Sequence, residues 1–78
     1  MSPFRLEISS HASERLKQRR ITRAQLRNCI SQGVLVGADI NGRKIKQKRV
    51  GSKILVVVYL DILGGHFIVT AYWKEQFT

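Results

Sequence analysis

At Gly33 the hydrophobic period of this chain changes, and that switch constrains its fold more than any other feature. Before it, apolar residues recur at helical spacing. After it they alternate, or run together between short turn signals, which predicts strands. The architecture implied is α+β, with two N-terminal helices packed on a four-stranded antiparallel β-meander.

The helical half carries its own boundary signals. Ser10 can cap a helix running from about His11 to Arg20, with Ala12 and Leu16 facing inward. Thr22 and Gln25 form a capping box, and Ile21 and Leu26 sit where a hydrophobic staple needs them, so a second helix starts at Thr22. Leu26, Cys29 and Ile30 supply its apolar face. It should stop near Gln32, with Gly33 in the left-handed position past its end. Ahead of both helices, Phe4, Leu6 and Ile8 alternate with Arg5 and Glu7, the pattern of an edge strand or an extended arm.

In the second half, Val34 to Ile40 leads into the turn Asn41-Gly42, a strong hairpin signal, and then into Arg43 to Val50. Gly51-Ser52 fits a second tight turn before Ile54 to Leu60, and Ile62 to Gly65 joins that strand to Phe67 to Trp73. The run Ile54-Leu55-Val56-Val57-Val58 is continuously apolar, which predicts a strand covered on both faces, with helices on at least one.

The chain has 78 residues, room for a single domain over 1–78. Fourteen Lys and Arg against five Asp and Glu leave a formal charge of +9, which costs self-repulsion unless a polyanion offsets it. Nucleic acid is the commonest such partner, but an anionic membrane surface or an acidic protein satisfies the same electrostatics. Cys29 is the only cysteine, so an internal disulfide is excluded and a reducing cytoplasm is the simplest setting. No apolar run approaches the length of a membrane span. One cysteine and two separated histidines give no metal-ligand spacing, and no phosphate-cradling or serine-hydrolase motif is present, so neither a metal nor another cofactor is expected.

Three groups of residues can carry chemistry. His11, Arg15 and Arg19 recur every four residues and lie along one helix face, cations aligned for a row of phosphates; a solvated stripe with His11 near the cap gives the same spacing. Arg43, Lys44, Lys46, Lys48 and Arg49 put five cations on the hairpin, suited to tracking a phosphate backbone or, alternatively, to protecting an edge strand. Lys44, Lys46 and Lys48 share one side, while Ile45 and Val50 fall on opposite sides. Thr70, Tyr72 and Trp73 on the last strand supply hydroxyls and rings that can position a phosphate, stack on a base, or simply pack the sheet. Metal-independent cleavage of RNA needs only these residue types, because the 2′-hydroxyl is an internal nucleophile.

The segment His11-Ala12-Ser13-Glu14-Arg15, continued through Arg19 and Ile21 to the ending Val69-Thr70-Ala71-Tyr72, resembles a family of short bacterial proteins with the pattern H-x-x-E-R-x-x-x-R-G-I. This chain departs from it at Arg20, where the family usually has Gly. The family looks like part of the RelE, barnase and EndoU grouping of ribonuclease folds, many of whose members are toxins neutralised by a neighbouring antitoxin. The resemblance implies a RelE/barnase-like domain, His11, Arg15, Arg19, Thr70 and Tyr72 as candidate catalytic residues, RNA as substrate and an acidic antitoxin protein as partner. A basic nucleic-acid-binding module without catalysis is the alternative. A helix-turn-helix, with Arg23 and Arg27 reaching a major groove, ranks third.

Overall fold

The computed structural model describes residues 4–75. Its elements in chain order are β1 (Arg5–Ile8), α1 (Ser10–Gln18), α2 (Arg23–Gln32), β2 (Val34–Ala38), β3 (Lys44–Val50), β4 (Lys53–Ile62) and β5 (Gly65–Glu75). They form one sheet in the order β1-β5-β4-β3-β2. The expected meander is present as β2 to β5, each antiparallel to the next. The expectation of four antiparallel strands is nevertheless corrected: the sheet has five strands and is mixed, because β1 pairs parallel to β5, from Arg5 opposite Gly65 to Ile8 opposite Ile68. Leu6 is buried from this short strand, and a Cβ on Gly65 would overlap the Arg5 carbonyl oxygen, so glycine is what lets the two backbones meet.

Both helices lie on one face of the sheet. Leu16, Ile21, Leu26, Cys29 and Ile30 form one buried cluster with Leu6, Leu55, Val57, Tyr59, Ile68 and Ala71. Each large apolar side chain buried there contributes about 1.5–3 kcal/mol. The uninterrupted apolar stretch of β4 is therefore helix-covered on one face only. Val56, on the other face, is still just 3 % exposed, since β4 is central and its cross-strand neighbours are Gln47 and Tyr72.

The helix ends show local chemistry at work. Ser9, one residue before the expected cap, accepts from the Ala12 amide at 3.1 Å. At the other end of α1, Ile21 N–H donates to Leu16 O and Arg20 N–H to Lys17 O, the paired bonds of a Schellman ending. That ending needs a left-handed residue, and Arg20 occupies it at φ 58°. The predicted capping box of α2 is present in both directions: the Gln25 amide donates to Thr22 Oγ1 at 3.1 Å, and the Thr22 amide to Gln25 Oε1 at 2.9 Å. Gly33, expected to be left-handed, has φ −73°; its small size is what the position requires, because a Cβ would strike the carbonyl oxygens of Cys29 and Gln47. Between β2 and β3 the connection is longer than a two-residue turn, since Asp39 Oδ1 accepts from the amides of Asn41 (3.0 Å) and Arg43 (2.9 Å).

Candidate functional site

The helical row His11, Arg15, Arg19 is brought to the last strand at its Arg19 end. His11 and Arg15 are exposed, and Arg19 is half-buried. Arg19 Nη1 donates to Ala71 O at 2.7 Å and to Thr70 Oγ1 at 3.5 Å, while its own carbonyl accepts from Trp73 Nε1 at 2.7 Å. These contacts sit beside an irregularity in the β4–β5 ladder: Val58 faces Thr70 and Tyr59 faces Ile68, which leaves Val69 as an extra residue. Such a bulge re-aims neighbouring side chains, here Thr70. Tyr72 follows two residues on, 41 % exposed, beside Val56 on the face without helices. A guanidinium has five N–H donors, so Arg19 keeps capacity for an anion after binding the strand.

Arg19 is also one of three arginines bound to outer carbonyls along one side of the sheet. Arg23 Nη2 donates to Leu6 O at 3.0 Å, and Arg27 donates to Phe4 O with its guanidinium 5.2 Å from the Phe4 ring centre. Arg23 and Arg27, the groove-reading candidates of a helix-turn-helix, thus serve to hold β1.

The hairpin cations divide between two faces. Lys44, Lys46 and Lys48 stand opposite Tyr59, Val57 and Leu55, so all three share the helix-covered side, and Arg49, opposite Ile54, lies on the other. Lys46 Nζ donates to Ile30 O at 2.6 Å, supplying a cation to the carbonyl end of α2, and Lys48 Nζ reaches Gln32 Oε1 at 3.4 Å. Arg49 Nε donates to Gly51 O at 3.2 Å, and Arg43 lies exposed in the turn. Ile45 and Val50 do fall on opposite sides, Val50 against the core.

A polar cluster that the sequence reading missed joins Lys44, Asp61 and His66. Asp61 pairs with Lys44, and its Oδ1 lies 2.9 Å from His66 Nδ1. The hydrogen bond from Lys44 holds the Asp61 carboxyl below the usual carboxylate range, against a smaller opposing effect of burial, and the same bond raises Lys44. Burial, then the Asp61 charge, pushes the Tyr59 phenol up. A carboxylate oxygen only accepts, so His66 Nδ1 is the donor of this bond and the Asp61 contact orients the ring. The available signal was register: Asp61 and His66 face each other across the Leu63-Gly64 turn. Cys29, by contrast, is buried with its thiol raised by desolvation, its sulfur against the carbonyls of Lys46 and Leu55, so it is a packing residue.

The α1 row lies at the β5 side and the lysines at the C-terminal end of α2. Among the described residues they do not enclose one shared concavity, and no pocket forms. Any ligand of this surface lies across it. No helix among the described residues is long and apolar enough to cross a membrane, and no three His, Cys, Asp or Glu side chains there gather as metal ligands.

No curated protein and no solved structure gives a significant match to the chain. A protein-family profile does, described as Domain of unknown function (DUF4258), over residues 8–73. That span runs from the last residue of β1 to Trp73 and takes in both helices and the α1–β5 contacts just described, and the protein accordingly belongs to the DUF4258 family.

Proposed function

We propose that this protein is an endoribonuclease toxin of a toxin–antitoxin pair, of RelE/barnase-like fold, cleaving RNA without a metal at the seam between α1 and β5. The observation that carries the reading is the Arg19 bridge, which ends a His–Arg–Arg row on Thr70 beside Tyr72. In the reaction the ribose 2′-oxygen attacks the adjacent phosphorus, the bond from phosphorus to the 5′-oxygen breaks, and a 2′,3′-cyclic phosphate remains. His11 takes the 2′-hydroxyl proton, Arg15 and Arg19 hold the phosphate oxygens, and Tyr72 protonates the departing 5′-oxygen or stacks on a base. Arg49 on the open face, with Arg43 and the lysines, steers the strand and holds its flanks.

The test is incubation of the pure protein with RNA in the presence of a chelator. Cyclic phosphate ends and loss of at least about a hundredfold in rate in His11→Ala are expected. Full activity in His11→Ala, with loss in His66→Ala, would move the proton transfer to the Asp61-oriented imidazole. Induced expression should arrest growth in the wild type and not in the His11 variant.

The second reading, binding without cleavage, has an observation of its own. Among the described residues His11 has no hydrogen-bond partner to set its tautomer, and the surface has no pocket to exclude water. It expects tight RNA binding that weakens steeply with salt and leaves the RNA intact.

A further inference from the structure

The two long edges of the sheet are finished differently. At the β1 side, Arg19, Arg23 and Arg27 bond the outward carbonyls of Ala71, Leu6 and Phe4. At the other side, β2 pairs only with β3, and among the described residues no side chain bonds to any of its peptide groups. Its side chains are Val34 (66 % exposed), Leu35 (52 %) and Val36 (50 %), followed by Gly37 and Ala38. An exposed apolar strand with no charge and no proline is the template for strand addition. The bulge at Val36 interrupts the ladder there, so it disfavours a long flat stack and leaves a short acceptor of a few residues.

We propose that β2 takes up an extended, acidic segment of another protein as a sixth strand. Charge selects that occupant. The neighbouring strand and turn carry Arg43, Lys46, Lys48 and Arg49 besides Lys44, which is paired with Asp61, so an added strand with carboxylates lies across β2 from a net-positive strand. A second copy of this chain brings +9 to +9, so like charge opposes pairing of two β2 edges. The backbone bonds give the binding, the half-exposed Val34, Leu35 and Val36 lose water to it, and the cationic neighbour strand chooses its sign. This assignment does not rest on RNA cleavage: it stands or falls with the β2 edge, whereas the ribonuclease reading stands or falls with His11.

The probe is a fluorescently labelled peptide of alternating glutamate and valine, titrated into the full-length protein and followed by anisotropy and amide hydrogen exchange. The peptide is expected to bind and to slow exchange at residues 34–38. A lysine–valine counterpart should bind at least about tenfold more weakly. A glutamate–valine peptide with alternate amides N-methylated keeps its charge but loses the donors for strand pairing, and should fall by at least about tenfold as well. Equal binding of the methylated peptide would reduce the effect to charge attraction and overturn strand addition. Protection elsewhere than β2, or no charge preference, would overturn it too. A protein that sediments as a dimer with 34–38 already protected would give the edge to a second copy and end the assignment of an acidic partner.

Discussion

The β1 edge and the β2 edge close the same sheet, yet one is sealed by three guanidinium groups and the other is bare valine and leucine. Both start with unsatisfied outward peptide groups, so the difference lies in what the rest of the chain lays beside them. Arginine suits the task because its planar fork bonds a carbonyl while its stem covers apolar surface. The residues that give this protein its basic character are thus partly spent on its own backbone, and they concentrate where α1 and α2 pass the strand edge.

The largest effect on this comparison should come from Gly65→Ala. The added methyl collides with the Arg5 backbone, which has no flexible end to yield, so β1 must leave the sheet or shift. A loss of about 3 kcal/mol is expected in urea unfolding. Arg19→Ala comes next. It removes the bonds to Ala71 O and Thr70 Oγ1 and uncovers the β5 edge, at a cost of about 2 kcal/mol, and Arg19→Lys recovers only part because a point charge replaces a fork. If Arg19→Ala unfolded at the wild-type urea midpoint, the β1 edge would be no better sealed than β2, and the contrast would collapse.

The distinction between the edges was only half legible in the sequence. Short-range devices were readable: Thr22 and Gln25 are three residues apart, and both directions of their capping box are present. The four residues of β1 gave the alternation of an edge strand, but its partner lies about sixty positions away, and nothing local says that Arg5 meets Gly65 in parallel. For Lys44, Lys46 and Lys48, spacing put them on a common side but could not say which side; only the register against Leu55 and Val57 sends them to the helix face, where Lys46 meets the end of α2. In the same way the α1 row was visible as a pattern, while the purchase of Arg19 on Ala71 depends on where β5 passes.

Arg20 offers a change of opposite sign at the sealed edge. It holds the left-handed position of the α1 ending, where a side chain is strained and glycine is at ease. Arg20→Gly should raise stability by up to about 1 kcal/mol, the relief being offset in part by the greater freedom of glycine in the unfolded chain. A loss instead would mean that the Arg20 side chain holds the α1–α2 corner, and that a fourth arginine belongs with the three.

The smallest effect is the one that separates the edges most cleanly. Leu35→Thr brings in a β-branched side chain suited to extended backbone, keeps every peptide group of β2, and removes apolar surface that is already half in water. Its effect on unfolding should stay within about 0.5 kcal/mol, because a half-exposed side chain has little burial to lose. Its effect on association should be visible, since the side chain that a docking strand would cover has become polar: the glutamate–valine peptide should bind a few times more weakly without losing its charge preference. A stability loss above about 1 kcal/mol would show that Leu35 packs into the fold rather than waiting at its margin. The bare edge would then be structural in its own way, and the asymmetry between the two sides of the sheet would be one of residue type, not of purpose.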